Sequence, residues 1–532
     1  MILLCAGVLF ACVVANRISG KYGMPALVLF MTIGMLSGSD GLMKIYFDDF
    51  SMTEQICNVA LIFIMFYGGF GTNWKSAKPT ARESVLLSTL GVFITAMLTG
   101  GFCYYCLRFQ LLESFLIGAV ISSTDAASVF SILRSRRLSL KDGTAPLLEV
   151  ESGSNDPASY MLTMIAITMM QGGISGPGIA YMVFAQVVYG CCMGTALAAL
   201  GLFGLKKFKI ITEGAETIFI MALVLTSYGL TQRIGGNGFL SVYITGIILG
   251  NSDIRNKIVL VHFFDGITGL SQIAIFFLLG LLSFPHMLPD IIIPAVAIFI
   301  FLTFVARPAA VFLLMKPMKA PLNQCLLISW AGLRGAASIV FAIMAIARGV
   351  DVNYDLFHIV FMVALLSVTF QGSMLPLIAV KLNMIDEGSN VLKTFNDYQE
   401  KSSITMMRIF IPEGHSWENK TIEEAAIPED ALVLMIRRDD ETIVPKGDTV
   451  IRKNDAVILS IPEYDSSEDI QLQEITINRG HRWSEQAIES LGLPSNILIT
   501  LIKRGDKNII PRGRTVVHEG DVVVVYNEKN QI

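Results

Sequence analysis

The sequence predicts a polytopic α-helical membrane protein of about thirteen transmembrane helices, followed by two small cytoplasmic α+β domains. Of its 532 residues, 53% are hydrophobic and only 16% are charged, which is typical of a chain that crosses a bilayer many times. Apolar stretches of spanning length recur up to about Val380, and the sequence beyond is polar and internally repeated. The net charge of -4 gives no indication of a nucleic-acid partner.

The apolar stretches predict both the number of spans and their orientation. They are roughly residues 1–16, 24–43, 56–72, 84–107, 111–133, 146–170, 180–205, 215–231, 236–250, 259–284, 287–315, 322–347 and 354–380. The first is short and 215–250 divides in more than one way, so twelve spans is the alternative. Arg17 and Lys21 follow the first stretch, which indicates a retained span rather than a signal peptide.

Basic residues in the loops predict that the N-terminus is outside and the C-terminal part is cytoplasmic, in a chain of the cell membrane. With that orientation, the outward loops hold only Lys44, Arg108, Arg233 and Arg348. The inward loops hold Arg17, Lys21, Lys75, Lys78, Arg82, Arg134, Arg136, Arg137, Lys141, Lys206, Lys207, Lys209, Arg255, Lys257, Lys316, Lys319 and Lys381. This bias favours an odd number of spans.

The polar C-terminal part contains two copies of one unit. Residues 1–381 are interpreted as the membrane domain and 382–403 as a linker. Gly414-His415-Ser416-Trp417 recurs 66 residues later as Gly480-His481-Arg482-Trp483. Each copy has β-branched stretches that predict strands, and a short acidic segment before a proline that predicts a helix (Glu423-Glu424 and Glu485 to Glu489). We therefore predict two α+β domains, 404–465 and 466–532.

The stretch Glu151-Ser152-Gly153-Ser154-Asn155-Asp156-Pro157 places two carboxylates in a predicted span. Ionisable groups inside a bilayer are costly and usually functional. At about 1.5 Å per helical residue, Glu151 lies in the inner third of the membrane, at the depth of Arg307. Asp156 lies nearer the middle, with Asp125 and Arg334. Depth alone therefore predicts a Glu151–Arg307 pair and a second polar layer near the midplane.

Two spans carry signs of interruption at that midplane. Ser122-Ser123-Thr124-Asp125 breaks the fifth stretch, and Gly332-Leu333-Arg334-Gly335 breaks the twelfth. Paired broken helices are typical of transporters, where freed carbonyls and half-helix ends form a site at the bilayer centre. An acidic group beside half-helix N-termini and an arginine beside C-terminal carbonyls would offset the helix dipoles. Asp156 is the candidate carrier, because a carboxylate binds either a hard monovalent cation or a proton.

These motifs carry a family resemblance over roughly residues 1–380. Ser123-Thr124-Asp125-Ala126-Ala127, Glu151 to Pro157, Ala306-Arg307-Pro308 and Gly332-Leu333-Arg334-Gly335-Ala336 resemble the monovalent cation:proton antiporters of the NhaP / sodium–proton exchanger group. The two C-terminal copies look like tandem RCK-C (TrkA-C) domains. The combination is similar to bacterial potassium/proton antiporters of the cell-volume-regulation type.

The resemblance implies a fold and a set of roles. It implies crossed discontinuous helices related as inverted repeats, a homodimer, and a transporter with no cofactor rather than an enzyme. Asp156 would bind ion and proton, with Ser152 and Thr124 lending oxygens and Asn155 stabilising the site. The remaining residues would support it: Glu151 and Arg307 as an ion pair, and Asp125 and Arg334 as the charges that balance the half-helices.

One departure from the family and several alternatives stay open. Family members often carry an acidic residue before the Gly-Gly of the third span, where this chain has Tyr67. Asp265 is interpreted as an inner-surface residue, with a place in the ion path as the alternative. K⁺ is favoured over Na⁺ or Li⁺ because of the tail. A tail-gated channel is the other class, although the sequence lacks a selectivity-filter motif such as Thr-Val-Gly-Tyr-Gly.

The tail is expected to regulate activity by binding a small effector, such as cyclic di-AMP or another nucleotide. Basic residues at two strand ends are the candidate phosphate contacts, with solvated charge as the alternative. These residues are Arg437, Arg438, Lys503 and Arg504.

Overall fold

The computed structural model of the chain contains two compact units, Met1–Glu400 and Lys401–Ile532. The described residues are 2–22, 25–135, 138–173, 175–208, 213–254, 257–350, 352–386, 404–425, 427–428, 431–438, 441–462, 472–478, 481–493, 497–504, 507–509 and 511–527.

The first unit is built from helices joined by short loops. They are α1 Ile2–Tyr22, α2 Ala26–Ser37, α3 Phe50–Gly71, α4 Trp74–Tyr105, α5 Leu111–Val120, α6 Ala126–Ser135, α7 Thr144–Met170, α8 Gly176–Phe208, α9 Glu213–Arg233, α10 Gly238–Gly250, α11 Lys257–Leu282, α12 Pro285–Met315, α13 Leu322–Trp330, α14 Ala336–Ala347 and α15 Leu356–Lys381. Three of them contain one π-helical turn each, at Leu87–Gly91, Leu302–Ala306 and Ser367–Gln371.

Each predicted apolar stretch contains a helix, and the fifth and twelfth are each split into two half-helices, as their polar interruptions predicted. Among the described residues, seven helices are long and apolar enough to cross a membrane, and five shorter apolar helices accompany them. The chain is therefore a polytopic helical membrane protein, while the number thirteen stays a prediction. The first helix continues through Arg17 to Tyr22, beyond the predicted end at residue 16.

Small residues bring α3 and α10 into backbone contact. A methyl group added at Gly69 would lie 2.3 Å from the Tyr243 carbonyl oxygen, and one added at Gly246 would lie 2.5 Å from the Phe66 carbonyl oxygen. Close approach of this kind is how membrane helices pack without a hydrophobic driving force between them. The contact fixes the segment of α3 around Tyr67, which becomes important at the site.

The described residues of the second unit form two four-stranded antiparallel sheets, ordered β1-β4-β2-β3 and β5-β10-β7-β8, with a small β6-β9 pair. The strands are β1 Ile404–Phe410, β2 Leu432–Arg438, β3 Glu441–Ile443, β4 Ala456–Pro462, β5 Leu472–Thr476, β6 Gln486–Ala487, β7 Ile497–Arg504, β8 Lys507–Ile509, β9 Val516–Val517 and β10 Val522–Asn527. The first predicted acidic helix is absent from the described residues, since 422–425 form a turn, and the second is only the 3-10 helix Ile488–Ser490.

The beginning of the predicted linker is ordered. The Asp386 N–H donates to the Ser139 carbonyl at 2.9 Å, and Leu140 and Ile385 form an antiparallel bridge. Residues 387–403 of the linker lie outside the described residues. The chain that leaves α15 is therefore attached to the loop that precedes α7.

Arg438 and Arg504, two of the candidate effector contacts, are each paired with a carboxylate. Arg438 donates from Nε and Nη2 to both carboxylate oxygens of Asp455 at 2.8 Å, and Arg504 does the same to Asp521, also at 2.8 Å. Both carboxylates are buried. Such bidentate pairs are strong and geometrically specific, so Arg438 and Arg504 hold each copy together instead of presenting free guanidinium groups. Arg437 is exposed and Lys503 half-buried.

The Arg504–Asp521 pair predicts acid sensitivity of the tail. The hydrogen bond from Arg504 holds the pKa of the Asp521 carboxyl below its usual value. The stability that this pair contributes is present above the unfolded pKa of about 4 and is lost as the pH falls through the lowered folded pKa. Asp521→Asn in the full chain should speed amide hydrogen exchange of β7 and β10 by roughly tenfold at neutral pH. The variant should also respond less to acid.

Hydrogen exchange of the detergent-solubilised protein, followed by mass spectrometry, measures this effect. Exposed Lys420→Gln is the control, with wild-type exchange expected in both strands. Equal acid responses in Asp521→Asn and wild type would contradict the assignment.

Candidate functional site

The two broken helices cross each other at their interruptions. α5 ends at Val120 and α6 begins at Ala126, while α13 ends at Trp330 and α14 begins at Ala336. Across the crossing, the Asp125 N–H donates to the Leu333 carbonyl oxygen at 2.8 Å. The sequence expectation of paired interruptions is therefore met by direct backbone contact between them.

Arg334 lies at the C-terminal end of α5. Its Nη1 donates to the carbonyl oxygens of Ser122 at 2.7 Å and Ser123 at 2.8 Å, and its side chain is buried. These carbonyls have no intrahelical partner, because α5 stops before them. The guanidinium therefore compensates both the open carbonyls and the negative end of the helix dipole. Its backbone N–H is held in turn by Ser367 Oγ, in the π-helical turn of α15.

Asp125 occupies the opposite position, at the N-terminal end of α6. Its carboxylate accepts hydrogen bonds from the backbone N–H of Ser128 at 3.2 Å and from the Ser128 hydroxyl. A carboxylate here satisfies free N–H groups and offsets the positive end of the dipole. Asp125 and Arg334 thus stand where the sequence argument expected charges of these signs.

The polar face of α7 meets the break after α5. The Ser123 hydroxyl donates to Asp156 Oδ1, and Asn155 Nδ2 donates to the Thr124 hydroxyl. Ser152 Oγ donates to the Thr124 carbonyl oxygen at 2.7 Å. Asp156, Asn155 and Ser152 are all buried. Hydrogen bonds therefore join Asn155 and Ser152 to Thr124, and Asp156 reaches the same break through Ser123.

Glu151 lies one turn before Asn155 on the side of α7 that does not line the cavity, and it contacts Arg307. Arg307 Nη2 lies 2.6 Å from Glu151 Oε1, with 3% and 1% of the two side chains exposed. The contact that their depths predicted is present. Gly332 makes room for it, since a methyl group there would lie 2.8 Å from Arg307 Nε. The arginine is thus enclosed between α7 and the break of the second broken helix.

A cavity of about 400 Å³ opens beside Asp156. Ser123, Thr124, Ser152 and Asp125 also line it, whereas Glu151, Arg307, Asn155 and Arg334 do not. The cavity therefore divides the predicted residues into a lining group and a group packed behind it. Its polar lining residues carry carboxylate and hydroxyl groups, whose oxygens are ligands that hard cations prefer.

Two cavity carboxylates were not assigned to the site from the sequence. Glu149 lies on α7 at the spacing 149, 152 and 156, which puts it on the face of Ser152 and Asp156. That spacing was the available signal. Asp265 on α11 also lines the cavity and accepts a hydrogen bond from the Tyr67 hydroxyl at 3.0 Å. Its interpretation as an inner-surface residue is thus replaced by a position in the cavity wall.

Gly335 allows the crossing to close. A methyl group at this position would lie 2.2 Å from Asp125 Oδ2, which is well inside van der Waals contact, and the nearby backbone is tied by the Asp125–Leu333 hydrogen bond. We expect Gly335→Ala to separate the half-helices and to lower the thermal stability of the detergent-solubilised protein by several degrees. Gly101→Ala is the matched control, because a methyl group there meets no atom within 4 Å. Equal melting temperatures for the two variants would contradict this account.

Comparisons with known proteins agree with this architecture. Residues 7–381 match the family model described as sodium/hydrogen exchanger, transmembrane, and residues 406–465 and 472–532 each match the TrkA-C domain model. The chain is 33% identical over 462 residues to the K(+)/H(+) antiporter NhaP of Alkalimonas amylolytica, covering 86% of this chain and 80% of that protein. It is 31% identical over 449 residues to the K(+)/H(+) antiporter NhaP2 of Shewanella baltica (strain OS223), covering 83% and 77%.

A solved structure shares the fold of the membrane unit. The sodium proton antiporter MjNhaP1 from Methanocaldococcus jannaschii at pH 8 superposes with a TM-score of 0.62 at 22% sequence identity. The match covers 70% of this chain and 99% of that chain. At this identity the likeness concerns the fold alone.

Proposed function

The chain belongs to the sodium/hydrogen exchanger family, and we propose that it exchanges a monovalent cation for H⁺ across the cytoplasmic membrane, with K⁺ as the favoured cation. The observation that carries this proposal is a buried carboxylate, Asp156, which borders a cavity beside two crossed broken helices. Family membership supports the class of reaction. The relatives named K(+)/H(+) antiporters support the choice of K⁺, with Na⁺ or Li⁺ as the alternative.

Exchange would proceed by competition at Asp156. The ionised carboxylate binds the cation together with the hydroxyl oxygens of Ser123 and Ser152 and oxygens of Thr124. The protonated carboxyl carries H⁺ and releases the cation, because a neutral acid attracts it far less. Asn155 holds the Thr124 side chain and brings no charge of its own. One carboxylate that holds either ligand gives one cation per proton, and hence electroneutral exchange.

Alternating access would expose this site to each side in turn. An aromatic group on the far side of Asp156 from Glu149 supports a closed barrier: Tyr160 on α7 lies one turn beyond Asp156, and its ring centre is 5.1 Å from that of Phe239 and 5.8 Å from that of Phe341. The cavity would be the inward-open pathway, with the N-terminus outside and the C-terminal domains in the cytoplasm. A homodimer is the proposed assembly.

The TrkA-C domains would regulate transport. The attachment of Ile385 and Asp386 to the loop before α7 offers a mechanical route, because α7 carries Asp156. A nucleotide such as cyclic di-AMP is the proposed effector. Arg437 and Lys503 are its proposed phosphate contacts, and Arg438 and Arg504 are paired with aspartates. Calorimetry of the full-length protein with cyclic di-AMP tests this point, and an absence of binding heat would remove this effector.

The decisive experiment for the transport proposal compares K⁺, Na⁺ and Li⁺ in everted vesicles. Adding the transported cation to vesicles that have respired to an acidic interior should raise the internal pH, as a fluorescent amine reports. We expect the largest response with K⁺. A response to Na⁺ and Li⁺ alone would select the alternative, and cation currents without proton movement would select the channel.

A further inference from the structure

Asp265 lies on the cavity wall formed by α11, in the same cavity as Asp156 on α7. Thr268 and Gln272 follow on the same face of α11 and also line the cavity. The wall therefore presents a carboxylate, a hydroxyl and an amide in succession. All three side chains offer oxygens that can replace part of a cation's hydration shell.

Tyr67 fixes the direction of this carboxylate. The Tyr67 side chain is 4% exposed, and its hydroxyl donates to Asp265 Oδ1 at 3.0 Å. The backbone around Tyr67 is locked by the contact of α3 with α10 at Gly69 and Gly246. A phenol is a neutral donor at physiological pH, so this hydrogen bond orients Asp265 without neutralising it.

The position of Asp265 along its helix places it on the way to Asp156. In the predicted topology α7 and α11 both start at the inner face. Asp265 is eight residues into α11 and Asp156 is twelve residues into α7, which is about 12 Å and about 18 Å of helix. A cation that enters the cavity from inside would therefore reach the level of Asp265 before that of Asp156.

We infer that Asp265 is a second cation-binding carboxylate of the transport pathway, and that Tyr67 is its positioning residue. This inference rests on the proposed cation/proton exchange. Asp265 binds the incoming cation and passes it to Asp156, so it governs the apparent affinity for the cation and the preference among cations. Asp156 alone exchanges the cation for the proton.

Asp265→Asn tests the inference in the everted-vesicle assay. We expect the apparent KM for K⁺ to rise roughly tenfold, because a unit charge several ångströms from the bound cation contributes on that order in a partly hydrated site. The maximal rate should stay within about twofold of wild type, since the exchanging carboxylate is intact. Tyr67→Phe should shift KM in the same direction but less. Exposed Asp253→Asn is the control, because it removes a carboxylate from outside the cavity.

A relocation variant separates binding from a structural role. Tyr67 and Asp265 line the same cavity, so Tyr67→Glu combined with Asp265→Asn returns a carboxylate to the cavity wall close to the original position. We expect this variant to recover much of the wild-type KM, which a purely structural Asp265 would not allow. If Asp265→Asn does not reach the membrane, the KM for K⁺ is measured in Tyr67→Phe and Asp265→Glu instead.

The outcomes distinguish the two levels of proposal. No cation response in wild-type vesicles would overturn the proposed function itself. If wild-type vesicles respond, and both Asp265→Asn and Tyr67→Phe keep the wild-type KM and the wild-type ratio of K⁺ to Na⁺ responses, only the role of Asp265 is overturned.

Discussion

Asp156→Asn is expected to reduce cation-induced proton movement to the background of vesicles that lack the protein. The amide has the shape of the carboxylate and still accepts a hydrogen bond from the Ser123 hydroxyl, so the local packing persists. It neither ionises nor binds a proton at physiological pH, and both half-reactions of the exchange are lost. No other predicted site residue combines burial, a charge and a place on the cavity wall.

The control for this variant is its stability. Because a buried carboxylate is replaced by a neutral group, the melting temperature of Asp156→Asn in detergent should equal or exceed that of wild type. Added K⁺ should stabilise the wild-type protein and leave the variant unaffected, since only the former binds it. Substantial exchange in a well-folded Asp156→Asn protein would move the carrier role to another cavity carboxylate, Glu149 or Asp265.

The sequence predicted the geometry of the site where depth and charge alone decided it. An unpaired charge in a bilayer is costly, so residues of opposite charge at one depth, such as Glu151 and Arg307, had to meet. An interrupted helix exposes N–H groups at one end and carbonyl groups at the other. The sign of each end therefore predicted where Asp125 and Arg334 would lie. These arguments need only the rise per residue of an α-helix and the direction of its dipole. Neither depends on how the helices pack.

Residues whose role depends on the rotation of a helix were harder to predict. Asp265 lies on α11, which is apolar on most of its surface, so periodicity could not reveal the face turned to the cavity. Its partner Tyr67 is 198 residues away in sequence. Glu149 could have been found from its spacing to Asp156, but it lies outside the contiguous polar stretch that begins at Glu151.

The arginine–aspartate pairs of the tail could also have been predicted from the repeated sequence. Arg438 and Asp455 are 17 residues apart, and so are Arg504 and Asp521 in the second copy. An arginine and an aspartate that recur at the same spacing in both copies indicate a pair within each copy. The residues were instead interpreted by local charge, as Arg437-Arg438 and Lys503-Arg504. The β-branched stretches of each copy do form strands, because alternation of β-branched residues is a local signal.

Separating the buried pair of Glu151 and Arg307 should produce the largest loss of stability. Arg307→Met leaves the Glu151 carboxylate buried without its partner, at a cost of about 3–5 kcal/mol. Glu151→Gln should be worse, because Arg307 and Arg334 both interact electrostatically with Glu151 and would be left as two buried cations. Thermal unfolding of the purified protein in detergent should rank the stabilities as wild type, Arg307→Met and then Glu151→Gln.

The double variant Glu151→Leu with Arg307→Met separates a structural role from a transporting one. Replacing both charges by apolar groups of similar size removes the buried imbalance, and such replacements of ion pairs are often close to neutral. We therefore expect the double variant to recover most of the stability that Arg307→Met loses, and to retain exchange at a reduced rate, because neither side chain lines the cavity. A stable double variant without exchange would instead place this pair in the transport cycle itself.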